Sequence, residues 1–318
     1  MRILVVGAGG VGGYFGARMA HAGRDVTFLV RPKRAEELRR AGLVVRSRYG
    51  DLTLRDVKTV VKSDLREPFD LILLSCKAYD LADAIDSFQA AVGPSTLILP
   101  LLNGMQHIDE LQRRFGASQV LGGLCLIAAT LNAEREIVHL NDMQAIVFGE
   151  LAGGLSERTQ AVVEAMGNAG FDVTASPNIV QELWEKWVFL ATLAGITCLF
   201  RASIGEILAT PDGERAIANL FAECSAIAAH NGYAVRPEFN ARMHAVLFAA
   251  GSPLTASMLR DLQAGSRIEA DHVLGDLIRR GGDRQRDDAA LSVLRLAYNH
   301  LKAYEVRRAA QLQAGAAS

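Results

Sequence analysis

The apolar positions of this chain fall into two regimes. Up to about residue 175, short β-type runs alternate with helical stretches; beyond it the spacing is helical almost throughout. Arg2-Ile3-Leu4-Val5-Val6 is an apolar run, and Tyr14, Phe15, Ala17, Met19 and Ala20 then repeat with helical spacing until Gly23. Residues 25–30, 69–75 and 96–100 form further β-type runs, with a helix expected over 79–91. Residues 43–48 and 52–57 alternate on either side of Tyr49-Gly50-Asp51, the pattern of a hairpin. Short strands are expected near 122–132, 137–140 and 145–149, then a helix over 156–169 and a strand over 171–175. Character changes at Ser176-Pro177-Asn178. Helices alone are expected from there to an Ala/Gln-rich tail that should fray.

Gly7-Ala8-Gly9-Gly10-Val11-Gly12 lies between the first strand and the first helix. G-x-G-x-x-G in that place is the turn of a dinucleotide-binding unit. Gly7 permits the turn, Gly9 lets the backbone approach a pyrophosphate, and Gly12 lets the helix lie close on the strand. The N–H groups of the helix's first turn then face the phosphates. The plain alternative is an ordinary glycine-rich turn, but the position behind a leading strand favours the cofactor. At the end of the second strand, where an NAD site commonly carries an acid, stands Arg31, followed by Pro32, Lys33 and Arg34. A guanidinium can bind a 2′-phosphate through two parallel charge-assisted hydrogen bonds. The segment could also be a solvated basic face; its place at the ribose favours NADP(H). The fold class expected is therefore α/β, with an N-terminal Rossmann-like dinucleotide-binding domain over 1–177 and an all-helical substrate domain over 178–318.

Composition narrows the setting. The 318 residues suffice for two domains, half of them apolar and 22% charged. A net charge of −1 argues against a nucleic-acid partner. Cys76, Cys125, Cys198 and Cys224 form no C-x-x-C pair and are expected as reduced thiols of a cytoplasmic protein. The histidines form no H-E-x-x-H, so no metal is expected. The glycines near the start make a poor signal peptide. The uncharged run over 187–200 falls short of the ~20 residues of a membrane span, so a buried helix and no membrane partner are expected.

Lys186 sits in Glu182-Leu183-Trp184-Glu185-Lys186-Trp187, expected to open a helix. Desolvation beside two tryptophans and a helix N-terminus would both lower its pKa and suit it to donate a proton near neutral pH. A snorkelling lysine, or one paired with Glu182, is equally compatible with the helix. Ser257 could donate to a substrate carboxylate or merely cap a helix. Glu269 could orient a hydroxyl, the lysine or a nicotinamide ribose, or be a surface carboxylate near Arg267.

Taken in order along the chain, Gly7–Gly12, Arg31, Ser75-Cys76-Lys77-Ala78, Leu102-Asn103-Gly104-Met105, Trp184-Glu185-Lys186 and Ser257-Met258-Leu259-Arg260-Asp261 with Glu269 resemble the ketopantoate reductase (2-dehydropantoate 2-reductase) family. The resemblance implies NADPH-dependent reduction of a branched 2-oxo acid to the 2-hydroxy acid, on the way to pantothenate. It implies Lys186 as general acid and Asn103 holding nicotinamide and substrate. It also implies Lys77 and Arg31 on the cofactor, Ser257 on the substrate carboxylate, and Glu269 at the junction of cofactor and substrate. Ala128 would give a backbone contact to the cofactor. Family members usually carry asparagines four and eight residues after the lysine; here stand Leu190 and Ala194, and Leu254 replaces another polar position. Thr197 and Gly205-Glu206 still match. Losing amides that bind a substrate hydroxyl shifts preference towards a more apolar 2-oxo acid. The rival functions are a same-fold D-2-hydroxy acid dehydrogenase, against which the basic segment from Arg31 counts, and a non-catalytic NADP(H) sensor, which has no use for Lys186. A homodimer is compatible with all of these.

Overall fold

The structure, a computed structural model, describes residues 1–282 and 292–317. Contacts divide the chain into two compact units: Met1–Leu102 with His107–Val180, and Asn103–Gln106 with Gln181–Ser318. The short segment carrying Asn103 thus packs with the helical unit, although its neighbours on both sides belong to the first.

The first unit opens with β1 (Arg2–Val6), α1 (Gly10–His21), β2 (Asp25–Leu29) and α2 (Pro32–Ala41). The hairpin β3 (Leu43–Arg46) and β4 (Leu52–Leu54) follows, shorter than its alternation suggests, with Leu43 opposite Leu54. Then come β5 (Thr59–Val60), β6 (Leu71–Leu74), α3 (Leu81–Phe88) and β7 (Leu97–Pro100). The parallel strands run in the order β5-β2-β1-β6-β7. Successive residues of β1 enter different cores. Ile3 and Val5 pack with Tyr14, Phe15 and Phe28, while Leu4 and Val6 pack with Ile72, Ile85, Phe88 and Ile98. A strand covered on both faces has no polar side, which explains the unbroken apolar run. The two-residue edge strand β5 is too short to leave a period and escapes sequence reading.

The rest of this unit comprises α4 (Gln106–Phe115), β8 (Leu121–Leu126), β9 (Ala129–Leu131), β10 (Ile137–His139), β11 (Ala145–Glu150), α5 (Glu157–Met166) and β12 (Asp172–Ala175). These strands build two small sheets, β4-β3-β10-β9 and β12-β11-β8. The helix expected over 79–91 is α3 flanked by single 3-10 turns, Ala78–Asp80 and Gln89–Ala91.

Beyond residue 178 the described residues are helical: α6 (Ile179–Phe200), α7 (Ile204–Leu208), α8 (Gly213–His230), α9 (Pro237–Leu247) and α10 (Ser257–Gln263). A π turn, Asp271–Gly275, runs straight into α11 (Asp276–Arg280), and α12 (Val293–Ala317) ends the chain. α6 is 22 residues long, enough to cross a membrane by length and composition. Of its apolar window, 72% is buried inside the protein, which marks a core helix. The tail expected to fray instead continues α12, because alanine, glutamine and arginine are strong helix formers. All four cysteines are free thiols, and burial pushes Cys198 and Cys224 up to about 12, so both are inert.

One position tests the packing of the first unit. A Cβ on Gly12 would overlap Ser75 Oγ and come 2.7 Å from the Gly7 carbonyl oxygen. The Gly12→Ala variant should lose about 1–3 kcal/mol of stability through overpacking. Thermal denaturation reads this directly; an unchanged Tm would show that α1 does not need the close approach.

Candidate active site

The phosphate loop is built by geometry that only glycine allows in part. Gly7 adopts φ +92° and its N–H donates to the Leu29 carbonyl at 3.0 Å, which ties the turn to the end of β2. Gly9 differs: its φ is −89°, open to any residue, and a Cβ there would meet no protein atom within 4 Å. Neither strain nor packing therefore calls for glycine at this position. What an added methyl would fill is the space in front of the N-terminus of α1. There the first-turn N–H groups lack intrahelical acceptors and the helix dipole favours anions. The loop fits a pyrophosphate. Gly10 by contrast is packed on the chain itself, 2.5 Å from Ala129 O in Cβ terms.

Arg31 follows β2 as the cap residue of α2, with Pro32 behind it. Its side chain is 72% exposed and pairs with Asp83 at 3.0 Å and Asp80 at 3.7 Å. The bond it donates to Asp83, helped by the charge of Asp80, raises its pKa further, so it is always a cation. Exposed pairs of this kind contribute about 0–1 kcal/mol, so a 2′-phosphate can take their place at small cost. Arg34, grouped with Arg31 in the basic run, serves the fold instead. Largely buried, it bonds Glu37 and the carbonyls of Ala8 and Arg135. Lys77 caps the 3-10 turn after β6 and is half-buried. Both backbone groups of Ala128 are engaged by the chain, its N–H by Asn141 Oδ1 at 2.9 Å and its carbonyl by Leu140 N. That reduces what its amide can offer a cofactor.

The remaining candidates, Asn103, Lys186, Ser257 and Glu269, all belong to the second unit. Lys186 lies two turns inside α6, which starts at Ile179, and not at a helix N-terminus as expected from sequence. The dipole's influence fades within the first turn, so it does not act on this amine. The turn carrying Lys186 is fastened on both sides. Glu185, its side chain 1% exposed, accepts from Arg236 N at 2.9 Å, Nε at 2.8 Å and Nη2 at 2.6 Å, and from Gln181. Trp187 donates from Nε1 to the Val273 carbonyl at 2.8 Å.

That carbonyl belongs to the π turn, and the turn gathers the other candidates. Val273 N donates to the carbonyl of Glu269 at 2.9 Å. The preceding residue, His272, hydrogen-bonds the Asn103 backbone. The structure thus brings the Asn103 loop, the Glu269 segment and the helix of Lys186 onto one turn. Ser257 is exposed and is the first residue of α10; the cap position is Ala256, so the serine is not a helix cap. The segment before it is pinned by Ile204 N to Leu254 O, Gly205 N to Ser252 O, and Ala256 N to Thr197 Oγ1. Gly205 has no room for a side chain there, since a Cβ would come 2.5 Å from Ser252 N. Leu190, half-buried, and Ala194 follow Lys186 at helical spacings of four and eight on the same face of α6. Sequence reading missed His272 and Arg236. Neither stands in a motif, and each acquires its role from a partner about 50 or more positions away.

The chain matches the family model for Ketopantoate reductase PanE/ApbA over residues 3–153 and that for its C-terminal part over residues 178–305. It is 36% identical to the uncharacterized oxidoreductase YkpB of Bacillus subtilis, across 97% of this chain and 100% of that one. The crystal structure of 2-dehydropantoate 2-reductase from Methylococcus capsulatus covers 97% of the chain and 98% of its own, with a TM-score of 0.84 and 30% identity. D-mandelate dehydrogenase with NADH and anilino(oxo)acetate shares the fold, with a TM-score of 0.85 at 20% identity over 97% and 99% of the two chains. The fold and loop are those of a dinucleotide-dependent oxidoreductase. This chain belongs to the ketopantoate reductase family, whose members are NADP-dependent oxidoreductases that use NADPH.

Two outcomes are expected. Because Gly9 meets nothing in the protein, Gly9→Ala should leave the Tm within about 1 °C while weakening NADPH at least about tenfold. Fluorescence titration measures this, and equal affinity would remove Gly9 from the cofactor site. The second concerns Glu185. Burial pushes its carboxyl up, but the bonds from Arg236 and Gln181 outweigh burial and hold it below the ordinary 4.5. The pair's stabilisation is therefore complete above about pH 4.5 and is lost as pH falls through the lower, folded-state value. Arg236→Met should cost about 2–4 kcal/mol at pH 7, the half-exposed arginine lowering the usual figure for a buried pair, and less at pH 3. Urea unfolding at the two pH values checks the sign.

Proposed function

We propose that this chain reduces 2-dehydropantoate to pantoate with NADPH, in pantothenate biosynthesis, and that Lys186 is its general acid. The observation that supports this most is the convergence on one turn of the Asn103 loop, Glu269 and the helix of Lys186, three segments far apart in sequence. NADPH, when bound, supplies the hydride. The glycines from Gly7 to Gly12, with Arg31 and Lys77, hold the dinucleotide, and Ala128 of the same unit adds a backbone contact. Reduction turns the substrate's carbonyl oxygen into an alkoxide, and the Lys186 ammonium donates a proton to that oxygen. The Asn103 amide orients nicotinamide and substrate, the Glu269 carboxylate accepts from the hydroxyl or the lysine, and the Ser257 hydroxyl donates to the substrate carboxylate.

A second reading has its own support. Leu190 and Ala194 share the face of α6 with Lys186 and offer no hydrogen bond to a substrate hydroxyl. A 2-oxo acid without that hydroxyl, such as 2-oxoisovalerate, would then be the better substrate; D-mandelate dehydrogenase shows that the same fold serves a different 2-hydroxy acid. A panel of 2-oxo acids with NADPH separates the two. The highest kcat/KM on 2-dehydropantoate upholds the first, the highest on a hydroxyl-free acid upholds the second, and no turnover on any member defeats both. In the same assay Lys186→Ala should lower kcat by about 10²–10⁴ with NADPH affinity within about threefold. Unchanged turnover would take the lysine out of the mechanism.

A further inference from the structure

The segment Asn103–Gln106 leaves the first unit and packs with the second, where Gly104 lies against His272. The His272 imidazole hydrogen-bonds the Asn103 backbone. Gly104 adopts φ +78°, and a Cβ on it would lie 2.9 Å from His272 O, 3.1 Å from Cδ2 and 3.3 Å from Nε2. Backbone and ring are in contact with no space for a side chain between them. Two residues further, Gln106 Oε1 accepts from Arg279 Nη2 at 3.2 Å. His272 is only 7% exposed and stands inside the π turn, an irregularity that displaces side chains from α-helical positions and is frequent at functional sites. It lies three residues after Glu269, and its other neighbours are Asp276 and Arg279. Burial lowers the imidazole pKa, and Arg279 adds to this, against the opposing pull of Glu269, Asp276 and the Asn103 bond. The ring is therefore neutral near pH 7. It has one N–H to donate, and committing that N–H to a backbone carbonyl fixes both tautomer and ring orientation.

We infer that His272 is a positioning residue for this site: through its bond to the Asn103 backbone it seats the 103–106 loop against the turn that follows Glu269. The inference rests on the reading above that Asn103 and Glu269 serve the reaction. It adds a residue that touches neither substrate nor cofactor and acts through Asn103.

Three full-length variants test it. His272→Phe keeps a ring but removes the donor, and His272→Asn and His272→Gln place an amide N–H near the δ and ε ring nitrogens. Hydrogen–deuterium exchange of the peptide spanning 101–106, measured without ligand, should quicken about fivefold or more in His272→Phe. It should return towards wild type in one of the amide variants. kcat should follow the same order, about five- to tenfold lower in His272→Phe and partly restored by that amide, with NADPH affinity within about threefold throughout. Exchange unchanged in His272→Phe overturns the inference, as does a loss that neither amide relieves, which would mean ring shape and not the bond. Exchange that responds as stated, in a wild-type chain that reduces no 2-oxo acid, upholds the bond and overturns the functional reading.

Discussion

The close approach of α1 to β1 and to Ser75, just past β6, which leaves no room for a side chain at Gly12, is the constraint on which the nucleotide-binding unit depends. With α1 seated at that depth, Tyr14 and Phe15 reach the core that Ile3 and Val5 enter, and the helix start stands directly beyond the strand end. The glycines of the loop thus divide their labour by physics. Gly7 supplies a left-handed backbone, Gly10 and Gly12 supply packing distance, and Gly9 supplies neither. A residue that the fold would let be larger, yet is not, points outward to a ligand.

The second unit is organised around a different kind of contact. Its π turn offers one carbonyl to Trp187, one side chain to Asn103, and its preceding turn to Glu269. Only the Val273 carbonyl is a backbone group diverted to a distant partner; the bond to Glu269 is the ordinary one between residues four apart, and His272 acts through its ring. On the far side of the Lys186 turn, Glu185 is held by three donors from Arg236, an ion pair kept ionised by bonds that outweigh burial. Lys186 is thereby fixed between two anchors, both within its own unit. A turn assembled in this way holds its geometry through backbone and buried side-chain bonds that do not involve Leu190 or Ala194.

Much of the fold is legible in the chain's own pattern. Runs such as Ile3–Val6 and Leu71–Leu74 announce doubly covered strands, and the glycine fingerprint behind the first announces the ligand. The misses have physical causes. Thr59–Val60 is too short for a period. Lys186 reads as part of a helix start because its motif begins at Glu182, whereas α6 starts at Ile179, directly behind Asn178, a residue type favoured at helix N-caps. The tail stays helical because its composition favours helix.

The sequence by itself determined the nucleotide fold, the phosphate loop and the candidates Lys186, Ser257 and Glu269, because period, glycine placement and local motif are properties of neighbours along the chain; Asn103 entered through the family resemblance. Only the tertiary structure decided that Asn103 packs with the helical unit, that His272 seats it, and that Arg236 anchors the turn of Lys186. Those facts are contacts between residues about 50 to 170 positions apart, and no local pattern encodes which distant backbone a buried side chain will meet.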